Sequence, residues 1–126
     1  MDHKAFIDAN RERFLDELMQ WLRIPSVSSD PNSKEAMAQA AEYLKNRFIE
    51  QGVDKVEIYP TEGHPIVYAE KITDPSKPTV LVYGHYDVQP PDPLDLWDSP
   101  PFEPVIKKTE EHPEGAIYAR GSCDDK

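Results

Sequence analysis

Thr79-Val80-Leu81-Val82-Tyr83-Gly84-His85-Tyr86-Asp87 decides how this chain is read. Its first five residues are a continuous β-branched and aromatic run. That pattern suits a strand covered on both faces within a mostly parallel sheet, where neither side meets water. His85 and Asp87 follow at once. Side chains two apart on extended backbone project to the same face, so the pair is expected side by side at the carboxyl end of a buried strand. Open α/β sheets place their ligands there. A neutral imidazole is a good zinc ligand, and a carboxylate beside it can orient the ring and raise its basicity. Taken alone, a His-x-Asp pair more often sits on an ordinary loop, and the spacing by itself does not decide.

Toward the amino terminus, residues 4 to 22 read as an amphipathic helix, with Ile7, Phe14, Leu15, Leu18 and Leu22 at three- and four-residue spacings. Pro25 ends it, and 26 to 32 is a polar loop. A second helix starts after Ser33 as N-cap, carries Met37, Ala40, Ala41, Leu44 and Phe48 as its apolar stripe, and closes at Gly52. Residues 53 to 59 alternate as a half-buried strand, 66 to 71 form another, and 74 to 78 (DPSKP) form a turn. Helices followed by strands with a buried central run point to an α/β layer architecture.

Toward the carboxyl terminus, six of the chain's 13 prolines fall between Pro90 and Pro104. Proline lacks the ladder N–H, so this segment cannot be sheet interior. Trp97 and Phe102 are expected to pin it over the sheet, and residues 106–108 and 116–120 to pair with each other. Next comes Arg120-Gly121-Ser122-Cys123-Asp124-Asp125-Lys126. Adjacent carboxylates repel unless a cation or solvent compensates. A metal is one such cation; a solvated acidic turn is the plainer account.

Bulk properties narrow the classes. A net charge of −10 over 126 residues argues against nucleic-acid binding, which needs clustered Lys and Arg, and against an anionic membrane surface. No apolar run approaches the roughly 18 residues of a membrane span, and the start, MDHKAFIDANRERF, lacks the apolar core of a signal peptide. The single cysteine, Cys123, excludes an internal disulfide framework. A soluble, cytoplasmic protein is expected. His3, His64 and His112 lie at a terminus or in turn-like contexts and are expected to be solvent-exposed rather than ligands. Cys123 is expected to be structural.

Read together, GHYDVQPPDPLDLWDSPPFEPVI and IYARGSCDDK resemble the metallopeptidase family of carnosinases, cytosolic non-specific dipeptidases, glutamate carboxypeptidases and aminoacylases, family M20. The helical opening followed by WLRIPSVS also matches, and the resemblance runs in order through essentially the whole chain. It implies the amino-terminal part of a three-layer αβα zinc-exopeptidase catalytic domain with a mostly parallel central sheet. The rest of that domain and an inserted dimerisation domain would lie beyond residues 1–126. It implies two Zn2+ ions, with Mn2+ or Co2+ as other divalent choices. By resemblance, His85 is a terminal metal ligand, Asp87 a catalytic carboxylate that holds His85, and Asp124 the carboxylate bridging both ions. The bond between Asp124 and Asp125 would be cis, at about 3–4 kcal/mol for a non-proline residue. The general base, a glutamate, and the remaining ligands have no counterpart here.

The resemblance thus implies a zinc-dependent dipeptidase acting on a dipeptide or short peptide, homodimeric in its complete form, with the 126-residue stretch inactive alone. PPDPLDLWDSPPF sits closer to the dipeptidase and carnosinase branch than to aminoacylases. An aminoacylase or other N-acyl amino acid amidohydrolase is the alternative within the family. A thiol hydrolase using Cys123 and His85, and a non-enzymatic binding protein retaining the fold, are the alternatives outside it.

Overall fold

The structure, a computed structural model, describes residues 2–124. Helix α1 (His3–Leu22) starts on Asp2, whose carboxylate accepts from the amides of Lys4 and Ala5 at 3.0 and 3.3 Å. This gives an acceptor to two of the amide donors that a helix start leaves without partners. Helix α2 (Lys34–Glu50) follows a single 3-10 turn, Pro31–Ser33. Ser33 is its N-cap residue by position, as expected, but its side chain makes no capping bond. The hydroxyl instead donates to Asp30 at 3.3 Å, and Asp30 caps the 3-10 turn through the Asn32 amide. At the other end, Gly52 adopts φ +72°, its amide reaches the Ile49 carbonyl, and Val53 reaches back to Phe48. These two bonds form a Schellman closure, which needs the left-handed conformation that glycine accepts freely.

Strands β1 (Lys55–Tyr59) and β2 (Ile66–Glu70) pair antiparallel, with Glu57 opposite Tyr68, and α2 packs against both. Strands β3 (Val105–Lys107) and β4 (Ala116–Tyr118) form a second antiparallel pair. The core lies between the helices: Trp21, Ile24 and Ala40 are buried, and Leu18, Ala36, Tyr43, Leu44 and Tyr86 pack against them. The Trp21 and Tyr43 rings sit 5.0 Å apart, and the Tyr43 hydroxyl donates to the Glu17 carbonyl at 2.7 Å. The two helices are thereby joined by both apolar and polar contact. No helix of the described residues is long and apolar enough to cross a membrane.

One expected element does not form. Residues 79–83 make no strand, and Val80, Leu81, Val82 and Tyr83 are 82–91% exposed. The physical reason lies in pairing. A strand needs at least one neighbouring strand to pair with, and the four strands of the described residues satisfy one another as two separate hairpins. What remains is an isolated parallel bridge just beyond this run, between Val27 and Val88. Burial shows where the stability resides. Leu22→Ala, at a fully buried position, is expected to lower the unfolding free energy by about 2–5 kcal/mol. Ile7→Ala, at a 55% exposed position, should change it by at most about 0.5 kcal/mol; urea unfolding measures both.

Candidate metal centre

The parallel bridge sets the site. The Val88 amide donates to the Ser26 carbonyl at 2.9 Å, and the Ser26 hydroxyl donates to the Tyr86 carbonyl at 2.9 Å. Ser26, Val27 and Val88 are all buried. Residues 26–28 therefore run beside residues 86–88 as two short extended segments. Alternation along the second of these then divides the side chains. Tyr86 turns toward the helical core and donates its hydroxyl to the Pro65 carbonyl. His85 and Asp87 turn the other way.

On that other side, His85 Nδ1 lies 3.2 Å from Asp87 Oδ1 and 3.1 Å from the Asp87 carbonyl. Both partners are acceptors, so Nδ1 carries a proton, and in the neutral ring that metal ligation requires Nε2 keeps its lone pair. The second Asp87 oxygen accepts a short hydrogen bond from the Ser28 hydroxyl. Nε2 in turn faces Asp124 Oδ1 at 3.3 Å. Asp124 reaches this point from a compact turn after β4, held by amide bonds from Ser122 to the Ala119 carbonyl and from Asp124 to the Gly121 carbonyl. Gly121 has φ +86°, a conformation that costs a side-chain-bearing residue energy.

The proline-rich segment anchors this turn. Arg120 donates from its backbone to the Pro101 carbonyl at 2.8 Å and from its guanidinium to the Pro90 carbonyl at 3.1 Å. That guanidinium also stacks over Trp97, 5.0 Å from the ring centre, and the indole N–H donates to the Pro91 carbonyl at 2.7 Å. Trp97 thus pins the loop with its edge as well as with its apolar face. Asp92–Pro93 within this loop is a cis peptide. The expected cis bond at Asp124–Asp125 lies outside the described residues.

Electrostatics follow from this packing. Partial burial penalises the charge on Asp87, but the Ser28 hydroxyl, its own amide and His85 outweigh that and hold the carboxyl below its ordinary range. For His85, partial burial disfavours the imidazolium. The Asp87 carbonyl, then the Asp124 and Asp87 carboxylates, overcome this and push it above the ordinary histidine value. The donor set fits a divalent cation in part. Nitrogen and oxygen ligands each about 2.0–2.2 Å from a tetrahedral zinc stand roughly 3.4 Å apart, close to the 3.3 Å between His85 Nε2 and Asp124 Oδ1. Among the described residues no three His, Cys, Asp or Glu side chains gather closely enough to hold a metal by themselves.

Two residues that sequence reasoning passed over also belong to this site. Ser28 bonds Asp87 from 59 positions away. His64, expected to be solvent-exposed, is half-buried, and its Nε2 lies 2.8 Å from the Ser28 carbonyl. No local spacing signals either contact, because each depends on the parallel bridge. His112 and Cys123 are exposed.

Comparison with known proteins yields consistent relatives. The model of peptidase family M20/M25/M40 matches residues 81–126. The Cys-Gly metallodipeptidase of Schizosaccharomyces pombe is 33% identical over 95% of this chain, which spans 26% of that relative. The Beta-Ala-His dipeptidase of Mus musculus is 33% identical over 96% of this chain, again with 26% of the relative covered. Among solved structures, the di-peptidase Dug1p from Saccharomyces cerevisiae superposes with a TM-score of 0.81 at 32% identity, over 94% of this chain and 26% of that one. The expected α/β class is borne out by that superposition, and the chain spans about a quarter of the length of these relatives. Tyr86→Phe, which removes the bond to Pro65, is expected to cost about 0.5–1.5 kcal/mol of stability, with the metal content of the purified protein unchanged.

Proposed function

We propose, from a chain homologous to the amino-terminal portion of the M20/M25/M40 peptidases, that the protein is a divalent-metal-dependent dipeptidase. The proposal includes two Zn2+ ions, with Mn2+ or Co2+ able to substitute, a dipeptide or short-peptide substrate, a homodimer and a cytoplasmic location. In this reading residues 1–126 are the first part of the catalytic domain, and the general base and remaining ligands lie elsewhere in the complete protein. The observation that carries it is the facing pair, His85 Nε2 and Asp124 Oδ1, 3.3 Å apart, with Asp87 behind the ring. The relatives above are themselves a Cys-Gly metallodipeptidase and a Beta-Ala-His dipeptidase.

The chain's own residues divide the work. His85 offers the Nε2 lone pair to a cation. Asp87 accepts the hydrogen bond from Nδ1–H, fixes the tautomer and stops the ring from turning away. Asp124, whose Oδ1 faces that lone pair at 3.3 Å, would offer its carboxylate to the bound divalent ions. Bound divalent ions supply Lewis acidity, which polarises a carbonyl and makes water more acidic. The Arg120–Trp97 stack and the backbone bonds to Pro90 and Pro101 keep the Asp124 turn from drifting. Holding reacting groups to within fractions of an ångström is itself a large part of catalysis.

In the complete protein, His85→Ala is expected to lower kcat/KM on a dipeptide panel by at least about 100-fold, the scale of losing a ligand or its orienting partner, and to lower bound metal in elemental analysis. Activity with unchanged metal content would refute the ligand role. Chelation should abolish hydrolysis and restored Zn2+ should return it, whereas Cys123→Ser should leave kcat/KM within about twofold. The reverse pattern would favour a thiol hydrolase. Residues 1–126 alone, with Zn2+ added, should release no amino acid from the same panel.

A further inference from the structure

Behind the pair that faces the cation runs a chain of polar contacts built from two parts of the sequence. Asp87 Oδ1 meets His85 Nδ1 at 3.2 Å, while Asp87 Oδ2 accepts from the Ser28 hydroxyl. The Ser28 carbonyl meets His64 Nε2 at 2.8 Å. Ser28 follows directly on Val27, whose bridge to Val88 ties the two segments together. Each oxygen of Asp87 is thus engaged by a different residue, and the carboxylate plane is defined at both ends. A carboxylate held only by His85 could rotate about its terminal torsion, which is broad for an sp³–sp² bond. With Ser28 on the second oxygen that rotation would break a charge-assisted bond, stronger than a neutral one.

We infer that Ser28 is a positioning residue for the metal centre: its hydroxyl locks the Asp87 carboxylate, which fixes the His85 ring toward the cation, and His64 holds Ser28 in place through its backbone carbonyl. This rests on the proposed ligand role of His85. Ser28 itself touches neither metal nor substrate. Its effect passes through Asp87, so it should change how well the site holds a cation more than how well the fold holds together. His64 adds to the same end from the loop before β2. It connects the β1–β2 hairpin to the site without contributing a ligand.

The test uses the complete enzyme stripped of metal and titrated with Zn2+ by competition against a chromophoric chelator, and separately with Co2+ followed by its visible spectrum. Removing the partner of a metal-binding histidine typically weakens the metal by about 10–100-fold. One step further out, Ser28→Ala should weaken Zn2+ by about 10-fold and shift the Co2+ bands, while Ser28→Thr, which restores the hydroxyl, recovers most of both. In an Asp87→Asn background, adding Ser28→Ala should weaken Zn2+ by less than about twofold further, because the hydroxyl acts through that carboxylate. Zn2+ affinity and Co2+ spectrum both unchanged in Ser28→Ala would overturn the inference, as would a full 10-fold loss in the Asp87→Asn background.

Should Ser28→Ala fail to fold, His64→Ala carries the test. A Zn2+ affinity several-fold weaker with an intact far-ultraviolet spectrum supports the clamp, and an unchanged affinity overturns it. His85→Ala separates the two levels. If it binds Zn2+ as the parent does, the ligand reading itself fails and takes this inference with it. If it loses Zn2+ while Ser28→Ala and His64→Ala do not, the inference alone fails.

Discussion

The structure depends on one short clasp, the parallel contact between residues 26–28 and 86–88. Its two bonds join a buried serine to the backbone on either side of Asp87. Unpaired polar groups at such depth would cost about 1–3 kcal/mol each, so the register is tightly held. Register matters more here than bond strength. A slip of one residue would exchange the faces of every side chain, sending Tyr86 outward and His85 and Asp87 into the helical core. The clasp thereby turns a sequence separation of some sixty residues into a fixed orientation of two side chains.

The two faces of residues 85–87 then do opposite things with the same backbone. Tyr86 packs into the cluster of Trp21, Ile24 and Ala40 and ends on the Pro65 carbonyl, so it belongs to both the helices and the loop before β2. Its neighbours carry the charge. Tyr86 fixes the backbone between them, and the side chains of His85 and Asp87 take their remaining restraint from Ser28 and from the turn bearing Asp124. That turn is itself held by Arg120, whose guanidinium reaches the proline-rich segment. Stability and chemistry are thus coupled through a few residues rather than through a large core.

Much of this was legible in the sequence. Both helices fell where the apolar spacing put them, Gly52 closed α2, the strands near 53–59 and 66–71 formed, the last two strands paired with each other, and the 74–78 turn is made by the Asp74 carboxylate bonding the Ser76 amide. Local rules govern all of these. The failures are non-local. The run at 79–83 has the composition of a buried strand, but composition cannot supply edge partners, and the strands of the described residues spend their hydrogen bonds on each other. His85, Asp87 and Asp124 were singled out by pattern and by family resemblance. Ser28 and His64 were not, because a serine in a loop and a histidine near a turn look ordinary until a distant segment is laid beside them.

The contact between His85 and Asp124 contains its own argument about what it is for. Nδ1 donates to Asp87, so in the neutral ring Nε2 presents a lone pair, and it presents it to a carboxylate oxygen 3.3 Å away. Two acceptors at that distance repel unless something positive lies between them. A proton is one candidate, and the upward push on the His85 titration expresses that preference. A divalent cation is the other, and the same carboxylates that favour the imidazolium favour it with twice the charge. Protons and metal ions therefore compete for one gap. Ligation requires neutral imidazole, so the site must win cation affinity by geometry, through a ring that cannot turn and an Asp124 oxygen that cannot retreat. Ser28, Asp87 and the Arg120-anchored turn impose those two constraints from opposite sides.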